Sequence, residues 1–195
     1  VDAAKFQDPL PVTVDSASER LASIPFVRAL GLKAVDLDGD GAVTEAAYLD
    51  AFDLDGVEGR ICDGVVAGAI DQAGSVAIWK ALGLQMPHAT VSLSVTFVDH
   101  APAQVLRFHG RLASLDHGLG HTIVTARTGD GTLLAHGMVN YAIGVYPGDS
   151  GVSKTLAPPD PSRLGDEVIE PLAGPGIDRA LGLKSGPEGA LTFDY

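Results

Sequence analysis

One long apolar run constrains the fold of this chain more than any other part of the sequence. Residues 62–83 read CDGVVAGAIDQAGSVAIWKALG and place a carboxylate, Asp71, near the middle of a helix. Burying an ionised carboxylate without partners costs on the order of several kcal/mol, so Asp71 is expected to serve chemistry or a specific pair. Helical spacing surrounds it with small residues, namely Gly64, Ala67, Gly68, Gly74 and Ser75. The small size of these residues predicts that another group can approach Asp71 closely. The apolar helix as a whole predicts a sheet wrapped around it.

Composition excludes several function classes. A net charge of −12 and a pI near 4.6 argue against nucleic acid as a partner and against docking to an anionic membrane. The single cysteine, Cys62, leaves no partner for a disulfide within the chain, and it predicts a reducing, cytoplasmic setting. The most apolar run, 64–78, is too short to span a membrane.

No metal site is expected. The acidic stretch 36–41 resembles a calcium loop, but the twelfth position holds Ala47 where such loops need a bidentate glutamate. We interpret it as a polar hairpin turn. His117 and His121 flank a glycine-rich turn without the spacing of metal ligands.

The order of predicted elements indicates an α+β fold. Residues 1–23 are assigned to an N-terminal lead-in, and a first helix, predicted over 16–29, begins within it. Strands 32–38 and 42–50 then form a hairpin on a Gly-Asp-Gly turn. After the long helix, alternating apolar and polar residues predict further strands at 90–98, 104–115, 121–128 and 132–145. The alternation predicts that Thr90 faces away from Leu93. An antiparallel sheet rolled around one central helix accounts for this order.

The C-terminal residues 147–195 are predicted to form an extension or linker followed by the start of a second, similar unit. Residues 179–184 repeat residues 28–33, RALGLK, letter for letter, and each copy precedes a strand-like segment ending in tyrosine. Internal repeats of this kind indicate a tandem arrangement. The alternative is two unrelated helix ends of similar composition.

A set of residues in fixed order carries a family resemblance. They are Gly59, Gly64, Asp71, Thr90, the strand end 96–98, the hairpin 130–135 and Tyr141. In this order residues 24–146 resemble the hotdog-fold thioesterases, in particular the phenylacetate-type acyl-CoA thioesterase branch. The resemblance implies hydrolysis of an acyl-CoA thioester, with coenzyme A as part of the substrate and no separate cofactor. It also implies a homodimer or a dimer of dimers, with the site between subunits.

The resemblance implies roles for individual residues. Asp71 is the general base or nucleophile, Gly64 supplies a backbone N–H to the oxyanion, and Thr90 faces the acid from the partner subunit. The predicted substrate-binding residues are Cys62, Asp63, Ser75, Arg107, Arg111 and His121. Arg107 and Arg111 share a strand face with His109, and this stripe is predicted to hold the coenzyme A phosphates or simply to be solvated.

The start of the long helix departs from the family pattern. The family has His-Gly-Gly preceded by Asn, whereas this chain has Cys62-Asp63-Gly64, with Gly56 in place of Asn. Asp63 is predicted to be the N-cap of the helix. Cys62 is a nucleophile of lowered pKa or a small buried residue.

These departures leave other functions open. One is a degenerate hotdog unit that binds acyl groups or supports a partner domain without catalysis. Another is an enoyl thioester hydratase, which would need a histidine shortly after the acid; residues 63–86 contain none.

Overall fold

The computed structural model describes residues 11–37, 39, 41–47, 52–54, 57–84, 86–102, 104–144, 183–185 and 191–193. Within them lie helices α1 (Val14–Ala22), α2 (Pro25–Ala29) and α3 (Asp63–Leu82). The strands are β1 (Leu32–Asp36), β2 (Ala42–Ala46), β3 (Asp53–Leu54), β4 (Val57–Ile61), β5 (His88–Phe97), β6 (Leu106–Asp116), β7 (Leu119–Thr128), β8 (Leu133–Ile143), β9 (Leu183–Ser185) and β10 (Leu191–Phe193).

The central feature is an antiparallel sheet of six strands in the order β1-β2-β6-β7-β8-β5, with α3 packed against one face. We call this face the inner face, and the opposite one the outer face. The predicted α+β architecture, an antiparallel sheet wrapped around a long helix, is confirmed. Of the described helices, none is long and apolar enough to cross a membrane.

Glycines allow α3 to lie close to the sheet. A Cβ atom on Gly110 of β6 would lie 2.6 Å from the backbone oxygen of Ala73, and a Cβ on Gly137 of β8 would overlap the side chain of Ile70. On the helix itself, a Cβ on Gly74 would overlap the hydroxyl of Tyr141. The stretch around Asp71 is therefore approached closely by the sheet, as its small residues predict.

The prediction of a single first helix over 16–29 is wrong. Helix α1 ends at Ala22, and a second helix begins with Pro25. A residue before proline is restricted to extended conformations, and Ile24 has φ −93° and ψ 116°. Helix α1 lies within the predicted lead-in 1–23 and contacts β1, where the Ser18 hydroxyl bonds the backbone of Ala34.

The strand predictions differ from the structure mainly at their ends. Strands β1 and β2 end at Asp36 and Ala46, earlier than predicted. In β6 the predicted alternation is confirmed, since Leu106 and Phe108 are buried whereas Arg107, His109 and Arg111 are exposed. Sequence reasoning missed the short hairpin of β3 and β4, which leads directly into α3.

Most of the predicted C-terminal unit lies outside the described residues. The described part is an antiparallel pair, in which Leu183 of β9 is opposite Phe193 of β10. Strand β9 begins at Leu183, the position in the repeat that corresponds to Leu32 at the start of β1. The proposal of a tandem unit stays a prediction.

Candidate active site

Asp71 lies at the middle of α3 and is held by two side-chain donors. The Thr90 hydroxyl donates to its Oδ1 at 2.9 Å, and the Gln72 amide donates to its Oδ2 at 3.1 Å. The hydroxyl of Tyr141 donates to its backbone oxygen, which anchors this turn of the helix to β8. Asp71 is thus held by one residue from each of two neighbouring strands, Thr90 of the edge strand β5 and Tyr141 of β8.

A β-bulge turns Thr90 toward Asp71. Thr90 pairs with Tyr141 but Ser92 pairs with Asn140, so Val91 is the extra residue in β5. A bulge shifts the alternation of side chains by one position. Thr90 consequently faces the inner side together with Leu93, contrary to the predicted strict alternation. The contact to Asp71 is also made within one chain, whereas the resemblance implied a threonine from the partner.

A cavity of about 520 Å³ opens in front of Asp71. Its lining combines polar and apolar side chains, namely Arg20, Ile24, Asp71, Gln72, Ser75, Trp79, Met86, Pro87, His88, Ala89 and Thr90. Ser75, a predicted substrate-binding residue, lies one helical turn beyond Asp71 and is 5% exposed. The volume suits part of a small ligand, with the carboxylate in its wall.

Burial raises the pKa of Asp71, although the hydrogen bonds from Thr90 and Gln72, the adjacent hydroxyl of Tyr141 and the charge of His88 act in the opposite direction. Removing a carboxylate from water disfavours its charged form, and the donors favour that form. The result is a carboxylate more basic than one in water, yet supported in its ionised state. Such a group is suited to take a proton from water.

Sequence reasoning missed His88, Gln72 and Arg20 in the cavity wall. The imidazole of His88 lies edge-on to Trp79 and Tyr141, with ring centroids 5.8 and 5.1 Å apart. The signal available in the sequence was its spacing, because residues two apart in a strand share a face and His88 precedes Thr90 by two. Arg20 comes from α1, and no motif links that helix to the site.

The start of α3 is built differently from the prediction. Cys62 is the N-cap and makes no side-chain capping bond, while Asp63 is the first helical residue. The predicted N-cap role of Asp63 is therefore wrong. Asp63 lies 3.8 Å from the guanidinium of Arg60, so its charge is partly offset. Gly64 is exposed, and among the described residues a Cβ there would meet the Cys62 sulfur, at 3.6 Å.

Comparison with known proteins identifies the fold. No family model and no curated protein matches the sequence. A thioesterase from Haemophilus influenzae superposes with a TM-score of 0.63 at 13% identity, covering 69% of this chain and 92% of that one. The E. coli PaaI protein, from the phenylacetic acid degradation operon, gives 0.54 at 15% identity, covering 66% and 92%. This chain has the hotdog fold.

A third match agrees with this assignment. A thioesterase family protein from Silicibacter pomeroyi has a TM-score of 0.56 and 19% identity, covering 66% of this chain and 96% of its own. The resemblance seen in the sequence is thus confirmed for the architecture. In hotdog terms, Asp71 lies on the central helix and faces the edge strand β5.

The predicted phosphate-binding residues lie away from the cavity. Arg107 and Arg111 are exposed on the outer face of β6, and Arg107 forms an ion pair with Glu45 at 3.2 Å. His121 bonds Asn140 at 2.6 Å, and Asn140 bonds Ser92, so these three residues form a polar row across β7, β8 and β5. Within one hotdog unit, this surface and Asp71 are on opposite faces of the sheet.

The described residues do not form a metal-binding group of three or more His, Cys, Asp or Glu side chains. In the turn between β1 and β2, the Lys80 ammonium donates to the backbone oxygens of Gly39 and Gly41 at 2.8 and 2.6 Å. A cation already bonds these carbonyls. The interpretation of this stretch as a hairpin turn agrees with the pairing of β1 and β2.

Proposed function

We propose that this protein hydrolyses an acyl-CoA thioester, with Asp71 as general base. The observation that carries the proposal is a carboxylate with a raised pKa that opens onto a cavity of about 520 Å³ in a hotdog fold. The solved structures with this fold include proteins described as thioesterases, from H. influenzae and S. pomeroyi. These likenesses support the reaction class and leave the acyl group open.

In the proposed reaction, Asp71 takes a proton from a water molecule as that water attacks the thioester carbon. A tetrahedral oxyanion forms, the C–S bond then breaks, and the products are a carboxylic acid and the thiol of coenzyme A. Thr90 and Gln72 hold the two carboxylate oxygens, so the base keeps one orientation. Positioned general bases of this kind contribute rate factors of roughly 10² to 10⁴.

The oxyanion donor proposed for this reaction is the N–H of Gly64. At the N-terminus of α3 this N–H has no partner within the helix and lies at the positive end of the helix dipole. Gly64 precedes Asp71 by seven residues, which is about 10 Å along a helix axis. One thioester carbonyl therefore does not reach both groups of the same helix. We infer that Gly64 of one copy and Asp71 of another form each site, with Cys62 and Asp63 beside the carbonyl.

The edge of the sheet supports such a homodimer. Strand β5 is outermost in the sheet order and pairs only with β8 among the described strands. Val91, at the bulge, is 61% exposed, and Leu93 and Phe97 are exposed on the inner side. An unpaired edge with exposed apolar residues is a surface that a second copy can cover.

Binding of the coenzyme A phosphates by Arg107, Arg111 and His121 is a further part of the proposal. Because these residues lie on the outer face, they reach a ligand at Asp71 only from another subunit, as in a dimer of dimers. Arginine recognises phosphate through paired hydrogen bonds. Arg107→Gln combined with Arg111→Gln is expected to raise KM for acyl-CoA more than KM for an acyl-pantetheine thioester, which lacks those phosphates.

The central test is a steady-state assay with short, aromatic and long-chain acyl-CoAs, in which release of free thiol is measured. We expect turnover of at least one thioester by the wild-type protein, and loss of that turnover with Asp71→Asn. Asn keeps the size of the side chain and an oxygen that accepts from Thr90, so folding is preserved. Equal turnover by the variant would show that Asp71 is not the base.

The altered helix start supports a second function. Cys62-Asp63 replaces the His-Gly of the related pattern, and Asp63 adds a negative charge where an oxyanion is expected. A non-catalytic hotdog unit would bind acyl-CoA, detected by calorimetry, and would release no thiol. Binding without turnover by the wild-type protein would favour this function over hydrolysis.

A further inference from the structure

His88 is fixed in the cavity wall by its backbone as well as by its ring. Met86 N–H donates to Gly83 at 3.0 Å, and Gly144 N–H donates to Pro87 at 2.7 Å, which ties the segment before β5 to the end of α3 and to β8. The imidazole then packs against Trp79 and Tyr141. An imidazole that is held on both sides has one orientation toward the cavity.

The hydrogen bond of this imidazole fixes its tautomer. Nδ1 lies 3.1 Å from the backbone oxygen of Met86. A carbonyl oxygen only accepts, so Nδ1 carries the hydrogen, and Nε2 of the neutral ring carries the lone pair. His88 therefore carries a basic nitrogen on a ring that lines the same cavity as Asp71.

His88 and Asp71 are linked through shared neighbours. Tyr141 packs its ring against His88 and donates its hydroxyl to the backbone oxygen of Asp71. Thr90, which bonds Asp71, lies two residues from His88 in β5. The charged and titratable groups that face His88 are Asp71 on α3, Arg20 on α1 and Tyr141 on β8.

We propose that His88 accepts, at Nε2, the proton that Asp71 removes from the attacking water, and delivers it to the sulfur of the leaving thiolate. This inference rests on the proposed hydrolysis. The Asp71 O–H bond breaks as the Nε2–H bond forms, directly or through one water; the Nε2–H bond then breaks as the S–H bond forms. The second hydrogen of the attacking water stays on the carboxylic acid product, so the balance needs no further reactant.

Burial brings the proton affinities of the two groups together. It raises the pKa of Asp71 and lowers the pKa of His88. A smaller difference in affinity makes the transfer easier, and Asp71 then returns to its ionised form for the next cycle. Without His88, the proton would have to leave Asp71 for solvent before the next cycle.

The kinetic test compares His88→Gln with His100→Gln. Glutamine keeps a side-chain donor but has no titratable nitrogen, and His100 is an exposed histidine after β5. We expect His88→Gln to lower kcat about 10²-fold with little change in KM, and to remove one ionisation from the pH profile of kcat. His100→Gln is expected to match the wild-type protein. An unchanged pH profile in His88→Gln would overturn the proposed role of His88 while hydrolysis by Asp71 stands.

Chemical rescue separates a role in proton transfer from a role in packing. In His88→Ala the cavity gains room for a small base, and a series of substituted imidazoles of similar size is added. We expect the restored rate to increase with the basicity of the added imidazole. Rescue that depends on size alone would overturn the proposal.

A readout without turnover distinguishes failure of this inference from failure of the proposed function. Nitrogen-detected NMR of the His88 ring is expected to show a hydrogen on Nδ1 and none on Nε2 in the neutral form. Asp71→Asn is expected to lower the pKa of His88, because an attractive negative charge is removed. The opposite tautomer, or a titration that Asp71→Asn leaves unchanged, would overturn the pairing even if hydrolysis is found. If the wild-type protein hydrolyses no thioester, the proposed function is wrong and the catalytic use of His88 falls with it.

Discussion

The start of α3 and its middle carry the two halves of the proposed chemistry, and they are built in different ways. Around Asp71, donors from Thr90 and Gln72 and a close contact with Tyr141 leave little freedom. Gly64 is exposed, and the neighbouring Asp63 lies 3.8 Å from Arg60, its ion-pair partner among the described residues. One chain thus surrounds the proposed base but leaves the proposed oxyanion donor exposed. In the proposed two-copy site, a second copy would cover this exposed end of α3.

The largest predicted effect separates the two aspartates. Asp71→Asn is expected to lower kcat by roughly 10² to 10⁴, the range of a positioned general base. Asp63→Asn removes an anion near the proposed oxyanion and is expected to raise kcat/KM, by about tenfold or less, because Arg60 already offsets that charge. Thiol-release kinetics of the two variants, made in parallel, provide the measurement. If Asp63→Asn lowered activity more than Asp71→Asn, the roles assigned to the start and the middle of α3 would be wrong.

The next effect is on stability and compares two glycines of the same helix. A Cβ at position 74 would lie 2.7 Å from the Thr122 hydroxyl, whereas at position 64 the nearest atom of the described residues is the Cys62 sulfur, at 3.6 Å. Gly74→Ala is expected to reduce the free energy of unfolding by about 1–3 kcal/mol through overpacking. Gly64→Ala is expected to increase it by about 0.5–1 kcal/mol, because alanine favours helix. Denaturant unfolding of both variants gives these values.

Gly64→Ala also tests whether Gly64 is the oxyanion donor at a contact between two copies. The substitution keeps the backbone N–H but adds a methyl group where a second copy is proposed to approach. Full stability with reduced activity would support an oxyanion donor at the subunit contact. If stability and activity are both unchanged while sedimentation shows a monomer at assay concentration, the two-copy site is contradicted.

The sequence predicted what depends on local pattern and missed what depends on pairing partners. Helix α3 and the alternation in β6 follow from spacing alone. The bulge at Val91 does not, because it exists only in the register that pairs Thr90 with Tyr141 and Ser92 with Asn140. That shift by one residue turns Thr90 toward Asp71. It also places His88 and Thr90 on the face of the sheet that contacts α3. The residues of the cavity wall therefore could not be predicted without knowing the register of β5 and β8.

A smaller effect follows from the hydrogen bond between Thr90 and Asp71. Thr90→Val removes a donor that lowers the pKa of Asp71, so this pKa rises further. The ionised base is then less populated at mildly acidic pH, and the acid limb of the kcat profile moves to higher pH. The rate on that limb is expected to fall on the order of tenfold or less. Thr90→Ser, which keeps the hydroxyl, is the control, and a limb that moves equally in both variants would argue against this bond.

The smallest effect concerns the stability that the protein gives up by keeping Asp71 charged. Because burial raises the pKa of Asp71 above its ordinary value of 3.8, the folded state binds the proton more tightly than the unfolded state does. The contribution of Asp71 to stability therefore falls as pH rises from the unfolded value through the folded one, and it stays low above that range. Asn has no such titration. Asp71→Asn is expected to have a higher Tm than the wild-type protein at pH 7, with the difference shrinking as pH falls toward 3, measured by circular dichroism at each pH. A gain that is the same at every pH would come from packing instead and would argue against an electrostatic cost of the buried carboxylate.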